Sequence, residues 1–392
     1  MILEVLNDDG TINYHDSQSI PLDPHNKKLT YIGSTSKEKN ALDILKAYRN
    51  DSKIVLYDQS NEMIQKKINA LDEREFLGQD FSMMFFTSGS MGHPVGALKT
   101  KQNLESEIKV FSKLIESYTI KKVIVTVPFV HIYGTLMGLL YPLFNDIDIV
   151  LKEHFLPHNL LELIDENCLV VTTPLYIKAL NSLSENKDLS RCLFVSSTAP
   201  LDKNIANEFT HKYNTNTMQL FGSTETGGIA YKFNDEELWS PFQKVELSVN
   251  NEQELKVQSP FVSTLLYENG FIDIAGVMQT FDYVEFEQEQ FKLIGRSSKI
   301  FKIAGKRYST VQIEQILEEV EEISKALVFV KNNTNSLKGE TLDISLETQK
   351  DFTSKEIIYI LKQQLSNLKF VIDLHLLEHI PTNQIGKKLL LS

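Results

Sequence analysis

Short β-branched apolar runs alternate with amphipathic segments between residues 40 and 300. Continuous apolar runs are typical of buried parallel strands, and amphipathic segments between them are typical of crossover helices. The alternation therefore predicts βαβ units and a mainly parallel sheet. The predicted strands cover residues 53–57, 82–86, 122–127, 148–151, 169–172 and 192–196. The predicted helices cover residues 36–48, 102–118, 160–166, 174–183 and 203–213.

The pattern changes over residues 247–283, where short alternating stretches and turns at Gly270 and Gly276 predict a small antiparallel sheet. The following residues predict a separate α+β unit, with helices at 310–321 and 354–366, strands at 325–330 and 371–376, and a polar loop at 331–340. We therefore predict an α/β protein with a large N-terminal domain, residues 1–297, and a small C-terminal domain, residues 298–392.

Composition narrows the range of partners and locations. The chain has 392 residues, a hydrophobic fraction of 42% and a formal net charge of -12, which opposes non-specific attraction to nucleic acid or anionic lipid. Cys168 and Cys192 lie in apolar surroundings, which indicates buried reduced thiols instead of a disulfide framework. The N-terminal stretch lacks the features of a signal peptide, and no segment approaches the roughly 18 apolar residues of a membrane span. We expect a cytoplasmic protein.

A loop rich in glycine and hydroxyl groups follows the predicted strand 82–86. Residues 87–96 read Thr-Ser-Gly-Ser-Met-Gly-His-Pro-Val-Gly. Glycines let backbone N–H groups approach an anion closely, and hydroxyls add donors, so the loop is a candidate phosphate site. The alternative is a flexible surface turn. A P-loop NTPase is disfavoured because no Gly-Lys-Ser/Thr ends the loop.

A second glycine-bounded segment places a carboxylate beside hydroxyls. Residues 221–228 read Phe-Gly-Ser-Thr-Glu-Thr-Gly-Gly. Magnesium prefers oxygen ligands and usually takes one or two protein carboxylates, so Glu225 is a candidate metal ligand. The alternative is a solvated glutamate in a glycine turn.

Both segments resemble motifs of the ANL superfamily of adenylate-forming enzymes, which includes acyl-CoA synthetases, peptide-synthetase adenylation domains and luciferases. The loop is similar to the family's Thr-Ser-Gly-Ser-Thr-Gly-Lys-Pro-Lys-Gly motif, although Val95 stands where the family has lysine and Lys99 is near enough in sequence to substitute. The resemblance implies that ATP phosphates contact Thr87, Ser88, Gly89, Ser90 and Gly92. The second segment is similar to Tyr-Gly-x-Thr-Glu. It implies that Phe221 and Gly222 border adenine, that Thr224 contacts the AMP phosphate and that Glu225 binds Mg²⁺.

Three further segments resemble family motifs in the same order along the chain. Ser197, Thr198 and Ala199 are similar to the segment that lines adenine; the alternative is a helix N-cap before residue 203. Residues 295–307 resemble Gly-Arg-x-Asp-x-x-Ile-Lys-x-x-Gly-x-Arg, and residues 381–388 resemble the family's final lysine motif. The implied roles are ribose contacts for Asp282 and Arg296, a hinge at Ser298, a thiol-facing surface with Lys302 and Gly305, and carboxylate and α-phosphate contacts for Lys387. For these basic segments the alternative is a solvated charged face or tail.

The segment Pro-Phe-Val-His-Ile-Tyr-Gly at residues 128–134 resembles the family's Pro-x-x-His-x-x-Gly segment beside the acyl pocket. The resemblance implies substrate contacts for His131 and Tyr133, and also for Gly227 and Gly305; alternatively, His131 is a core histidine. Residues 126–141 contain no acid of the kind that pairs with an amino-acid ammonium, which favours a fatty or aryl acid. Only 86 residues precede Thr87, so an outer subdomain is expected to be reduced.

Together these resemblances imply an ATP- and Mg²⁺-dependent ligase that converts a carboxylic acid to its acyl-AMP and transfers it to coenzyme A or an acyl carrier protein. The small C-terminal domain is expected to be mobile. Two alternatives stay open, namely a nucleotide-binding relative with impaired catalysis and an amino-acid adenylation enzyme.

Overall fold

The computed structural model describes residues 1–21, 29–87, 94–251, 253–296, 300–303, 306–331, 341–365 and 371–382. The strands in chain order are β1 (Ile2–Leu6), β2 (Ile12–Asp16), β3 (Leu29–Ile32), β4 (Lys53–Leu56), β5 (Met83–Thr87), β6 (Val95–Lys99), β7 (Lys122–Val125), β8 (Asp148–Lys152), β9 (Cys168–Thr172), β10 (Leu193–Ser196), β11 (Asn216–Ser223), β12 (Gly227–Phe233), β13 (Ser240–Pro241), β14 (Glu246–Val249), β15 (Glu254–Gln258), β16 (Leu265–Tyr267), β17 (Phe271–Asp273), β18 (Val277–Glu287), β19 (Gln290–Arg296), β20 (Ile300–Ile303), β21 (Lys306–Ser309), β22 (Ile323–Lys331), β23 (Thr341–Thr348) and β24 (Val371–Leu377). The helices are α1 (Lys37–Arg49), α2 (Glu62–Asn69), α3 (Glu73–Leu77), α4 (Lys101–Leu114), α5 (Ile132–Thr135), α6 (Tyr141–Asn145), α7 (Pro157–Leu163), α8 (Pro174–Asn181), α9 (Lys203–Tyr213), α10 (Thr310–Glu318) and α11 (Ser354–Gln364).

The chain divides into two compact units. The first comprises Met1–Ser248 and Lys256–Met278, and the second comprises Val249–Leu255 and Gln279–Ser392. The predicted boundary after residue 297 falls within the second unit and stays a prediction. Ser298, the predicted hinge, lies outside the described residues.

A large mixed sheet forms the centre of the first unit, in the order β13-β12-β11-β10-β9-β7-β8-β1-β2. The strands from β11 to β1 in this order run parallel to one another. Strand β12 is antiparallel to β11, β13 is antiparallel to β12, and β2 is antiparallel to β1. Alternate residues point to opposite faces: Val123 and Val125 join one apolar core, and Ile124 joins another. The predicted parallel sheet is therefore confirmed.

A second sheet in the first unit has the order β17-β16-β6-β5-β4-β3. Strands β3, β4 and β5 are parallel, and β6 returns antiparallel to β5 with Thr87 opposite Val95. The core on one side of the central sheet contains residues of this second sheet and of α1 and α4. Helices α7, α8 and α9 cover the opposite side. Helices and sheets thus form alternating layers around separate apolar cores.

Local capping fixes where the helices begin. Asp202 caps α9 by accepting hydrogen bonds from the backbone N–H groups of Asn204 and Ile205. Residues 197–199 therefore do not form the N-cap of this helix, and that interpretation of the segment is wrong. Thr100 and Asn103 form a reciprocal capping box at the start of α4.

The second unit contains the β20–β21 hairpin, and the β22-β23-β24 sheet packs its apolar face against α10 and α11. Glu347 at the end of β23 accepts hydrogen bonds from Ile380 N at 2.6 Å, Lys325 Nζ at 2.9 Å and Ser324 Oγ at 2.9 Å. Partial burial would raise the pKa of Glu347, but these donors lower it to about 2. This carboxylate consequently attaches the segment after β24 to the sheet.

Replacing Glu347 with glutamine should destabilise the second unit by roughly 3 kcal/mol at neutral pH, because the lowered pKa measures the stability gained from the ionised form. A lowered carboxyl pKa stabilises the fold above the unfolded-state pKa and loses that effect as pH falls from about 4.5 toward about 2. Urea unfolding monitored at pH 7 and at pH 3 checks the expectation. Glu378→Gln, at an exposed position, serves as the control. Equal destabilisation by Glu347→Gln at pH 7 and at pH 3 would contradict the expected pH dependence.

The structure confirms most of the predicted elements, with shifts at their ends. Helix α9 has the predicted bounds, whereas α4 ends at Leu114 and α7 begins earlier, at Pro157. Gly276 has φ +73°, as a turn requires. Cys168 and Cys192 are buried free thiols, as expected. Within the described ranges, no helix combines the length and apolar character needed to cross a membrane.

Candidate active site

The carboxyl ends of neighbouring parallel strands define the candidate site. Strands β7, β9, β10 and β11 are adjacent and parallel in the central sheet. Ligands in open α/β sheets bind in the crevice outside these strand ends. The segment with His131 follows β7, Ser197–Ala199 follow β10, and the turn with Thr224 and Glu225 follows β11. The fold therefore brings the predicted acyl, adenine and metal motifs to one edge.

Tyr133 holds part of this edge together through its phenol group. The hydroxyl oxygen lies 2.9 Å from the carbonyl oxygen of Thr172 and 2.6 Å from that of Val195, so its one proton is shared between acceptors at the ends of β9 and β10. Burial raises the pKa of Tyr133, so the hydroxyl keeps its proton. Gly134 is needed beside it because a Cβ there would lie 2.0 Å from the carbonyl oxygen of Pro128. Tyr133 thus positions α5 through backbone contacts; its predicted substrate contact stays a prediction.

His131 precedes α5 and is half-buried. Burial lowers the pKa of its imidazole, and the carboxylate of Asp58 partly opposes this shift. Asp58 accepts hydrogen bonds from the backbone N–H of Ser60 at 2.9 Å and from its hydroxyl at 2.6 Å. The sequence did not indicate Asp58, because it follows β4, in the other sheet of this unit.

Ser197, Thr198 and Ala199 connect β10 to α9. The hydroxyl of Ser197 donates to the carbonyl oxygen of Leu220 at 3.1 Å, which ties the segment to β11. Thr198 has φ +78° and is exposed. A β-branched residue in the left-handed region is strained, and strain of this kind is concentrated at ligand sites. The binding role of the segment stays a prediction.

The turn between β11 and β12 is built on glycines and a buried threonine. Thr226 is fully buried; its hydroxyl accepts from Ser223 N at 2.9 Å and donates to the carbonyl oxygen of Gly227 at 2.8 Å. A Cβ on Gly222 would lie 2.3 Å from that same carbonyl oxygen. Gly227 has φ +70°, which favours glycine. The turn therefore has little freedom to change shape, and Gly227 has a structural reason to be glycine.

Thr224 and Glu225 lie at the centre of this turn and are partly exposed. Both side chains are half-buried, and among the described residues neither the hydroxyl nor the carboxylate makes a hydrogen bond or ion pair. A carboxylate beside a hydroxyl on a fixed turn supplies the oxygen donors that Mg²⁺ prefers. The residues present thus fit a magnesium ion that is also bound to phosphate.

Phe221 packs against an aromatic residue that the sequence did not indicate. The ring centroids of Phe221 and Trp239 are 5.5 Å apart, with an interplanar angle of 52°. The Nζ of Lys232 lies 4.9 Å from the Trp239 centroid. Trp239 precedes β13 and reaches Phe221 through the pairing of β12 with β13. One side of the predicted adenine platform is therefore supported by Trp239.

Lys99 does not have the role that its position in the sequence suggested. Its side chain is buried, and Nζ donates to the carbonyl oxygens of Phe261 at 2.7 Å and Glu225 at 3.0 Å. Burial lowers the pKa of Lys99, and the nearby carboxylates of Glu107 and Glu225 oppose this shift. Because the ammonium is held by backbone carbonyls, the expectation that Lys99 replaces the family lysine on the phosphates is wrong.

The remaining predicted residues lie at the ends of described segments or outside them. Thr87 ends β5 and is half-buried. Ser88, Gly89, Ser90, Gly92, Gly305 and Lys387 lie outside the described residues. Lys302 lies on β20 opposite Arg307. The roles of these residues stay predictions.

In the second unit, the two residues predicted to hold ribose are neighbours across a hairpin. Asp282 on β18 pairs with Arg296 on β19. A bulge between Tyr283 and Val284 shifts the register, which brings Arg296 opposite Asp282. Asp282 is 4% exposed, and its backbone N–H donates to the hydroxyl of Thr280 at 3.1 Å. Ribose binding by the two residues stays a prediction.

Comparison with known proteins identifies the family. The AMP-binding enzyme family model matches residues 23–261, which is more than half of the chain. The chain therefore belongs to the AMP-binding enzyme family, the ANL superfamily that its motifs resemble.

The chain is similar to ligases of this family at low identity. It is 23% identical over 346 residues to a long-chain-fatty-acid–CoA ligase of Bacillus subtilis, covering 79% of this chain and 60% of that protein. It is 19% identical over 342 residues to a 3,4-dihydroxybenzoate–[aryl-carrier protein] ligase of Bacillus anthracis, covering 85% of this chain and 77% of that protein.

Among solved structures, O-succinylbenzoate coenzyme A synthetase from Bacillus subtilis in complex with ATP and a magnesium ion superposes with a TM-score of 0.79 at 15% identity. The match covers 98% of this chain and 95% of that chain, and it confirms the predicted fold class.

Proposed function

We propose that this protein activates a carboxylic acid with ATP and Mg²⁺ and transfers the acyl group to a thiol. The observation that carries the proposal is the convergence of His131, Ser197–Ala199 and Glu225 at the carboxyl edge of one parallel sheet in a member of the AMP-binding family. In the first step a carboxylate oxygen attacks the α-phosphorus and pyrophosphate leaves. In the second step a thiolate sulfur attacks the acyl carbon and AMP leaves.

The first step brings an anionic nucleophile to an anionic phosphate, so positive charge must be placed near both. Mg²⁺, when bound, neutralises part of the triphosphate charge. Glu225 and Thr224 would hold that ion and the phosphate from a turn that the Thr226 hydrogen bonds keep fixed. Phe221, supported by Trp239, would stack on adenine, with Ser197–Ala199 lining its edge.

Residues of the second unit would complete the reaction in two arrangements. Lys387 would contact the carboxylate and the α-phosphate during adenylation, and Asp282 and Arg296 would bind the ribose hydroxyls. A rotation at Ser298 would then present Lys302 and Gly305 to the incoming thiol. The pairing of Asp282 with Arg296 in the same hairpin supports the ribose assignment.

The acid is proposed to be a simple fatty or aryl acid. Two of the ligases with sequence similarity act on a long-chain fatty acid and on 3,4-dihydroxybenzoate, and residues 126–141 carry no acid. Asp58 lies close enough to His131 to affect the pKa of the imidazole. An acid near the predicted acyl pocket is the kind of group that pairs with an amino-acid ammonium, so the test must also include amino acids. One of these relatives uses coenzyme A and the other an aryl carrier protein, so both thiols are candidate acceptors.

Acid-dependent exchange of radiolabelled pyrophosphate into ATP tests the first step directly. We expect exchange with a subset of fatty or aryl acids, no exchange without acid, and loss of exchange when EDTA removes Mg²⁺. The active acid is then incubated with ATP and either coenzyme A or a carrier protein, and thioester is measured by mass spectrometry. MgATP binding by calorimetry without exchange across the whole panel would favour a non-catalytic relative, and exchange with amino acids alone would favour an amino-acid adenylation enzyme.

A further inference from the structure

Two opposite charges are buried beneath the turn that carries Glu225. Lys99, the last residue of β6, is 1% exposed, and Glu107 on α4 is 9% exposed. Removing two charges from water is costly, and the cost is offset only when both charges find good partners. The partners of these two side chains therefore show what the pair holds in place.

Both side chains bind the backbone of the same turn. Lys99 Nζ donates to the carbonyl oxygen of Glu225 at 3.0 Å, and Glu107 Oε1 accepts from the backbone N–H of Gly228 at 2.8 Å. The Glu225 carbonyl oxygen also accepts from Ser263 N at 2.8 Å. The peptide groups at residues 225 and 228 are thus each held by one of the two buried side chains. The Glu225 side chain itself makes no hydrogen bond to the described residues.

The glycines after Glu225 are matched to the Glu107 carboxylate. A Cβ on Gly227 would lie 2.5 Å from Glu107 Oε2, and a Cβ on Gly228 would lie 3.0 Å from Oε1. The turn approaches the carboxylate as closely as it does because neither residue has a side chain. The sequence of the turn and the position of Glu107 consequently depend on each other.

Stability alone does not account for such a pair. Lys99 and Glu107 interact electrostatically but form no salt bridge with each other, so their main partners are backbone groups. Buried charged groups can often be replaced by well-packed apolar residues with no loss of stability, whereas they are retained in some proteins because they fix one arrangement of the chain. Here the fixed arrangement is the backbone on either side of the candidate metal ligand. Asn103, one turn before Glu107 on α4, adds a similar contact by donating to the carbonyl oxygen of Pro260 at 2.8 Å.

We infer that Lys99 and Glu107 are positioning residues that set the location of Glu225 for the bound metal nucleotide. This inference rests on the proposed function, because it assigns the pair to the same site. Both side chains bind the turn through its backbone, Lys99 at residue 225 and Glu107 at residue 228. The pair also gives Lys99 a role that does not involve the phosphates.

The test compares Lys99→Met/Glu107→Leu, which removes both charges while keeping apolar volume, with single Glu107→Gln. The matched control is Lys101→Met, which changes a half-buried lysine at the start of α4 that pairs with Asp51. We expect the double variant to keep its melting temperature within a few degrees of the wild type. Its kcat/KM for MgATP in pyrophosphate exchange should fall about 10- to 100-fold, since misplacing a catalytic group by about 1 Å can cost 10²-fold. The KM for the acid and the behaviour of Lys101→Met should stay unchanged.

A purely structural pair would give a different result. If the double variant loses activity only in proportion to its folded fraction, with an unchanged KM for MgATP, the inference is overturned. Should the wild type show no exchange with any acid, adenylation itself fails, and the inference is then judged by calorimetric binding of MgATP. A weaker affinity of the folded double variant than of wild type and Lys101→Met supports positioning; equal affinity, or no binding by any of the three, overturns it.

Discussion

Glu225→Gln should lower kcat/KM for MgATP in acid-dependent pyrophosphate exchange by about 10²- to 10³-fold, the range found when one group that stabilises transition-state charge is removed. Glutamine keeps the volume and one carbonyl oxygen but loses the charge, and it is a poorer ligand for a hard cation. Because the Glu225 carboxylate makes no hydrogen bond or ion pair with the described residues, the melting temperature should change little.

Titration with Mg²⁺ distinguishes a metal role from general damage to the turn. The variant should need a higher Mg²⁺ concentration for half-maximal exchange, while the KM for the acid stays near the wild-type value. Glu246→Gln provides the control, because Glu246 is an exposed glutamate on β14 of the same unit. Wild-type exchange in Glu225→Gln, or an equal loss in Glu246→Gln, would exclude the assigned role.

Local signals in the sequence were sufficient for elements whose ends are set by their own residues. Helix α9 has the predicted bounds because Asp202 caps its start and Asn214 takes the left-handed conformation at its end. No predicted element covers strand β23, although Leu342, Ile344 and Leu346 alternate along it and are buried. The period of two is present there, but the long polar segment 331–340 directly before it favours a continued loop.

Contacts between distant parts of the chain could not be predicted in this way. Lys99 ends an apolar strand, and its burial depends on carbonyl groups at residues 225 and 261, more than a hundred residues away. Trp239 reaches Phe221 only through the pairing of β12 with β13. Motif resemblance predicts where along the chain the chemistry lies, but which side chains support those segments depends on tertiary packing.

The pairing of Asp282 with Arg296 shows how small features decide such placements. The hairpin closes between Glu287 and Gln290, and a regular register from there would place Gly295 opposite Asp282. The bulge at Tyr283 and Val284 moves the register by one residue, so that Arg296 lies opposite instead. A one-residue shift of this kind is not visible in the hydrophobic pattern, because β18 and β19 are only partly buried.

Lys387→Ala should reduce acid-dependent pyrophosphate exchange by at least about 10³-fold while sparing thioester formation from a supplied acyl-AMP. A positioned lysine supplies several kcal/mol when a carboxylate attacks an α-phosphate, because it offsets the repulsion between two anions, and each 1.36 kcal/mol corresponds to a factor of ten in rate. Transfer to the thiol starts from a mixed anhydride that is already formed, so that step does not need the same cation.

Lys388→Ala is the matched control, since it removes an equal charge from the neighbouring position of the same segment. If the two variants lose exchange equally, the effect reflects the overall charge of the tail and not one positioned lysine. If Lys387→Ala loses both half-reactions to the same extent, the division of labour between two arrangements of the second unit is wrong, because a residue used only for adenylation has no reason to affect the transfer. Exchange lost with transfer retained requires that the chain bring Lys387 to the nucleotide for the first step alone.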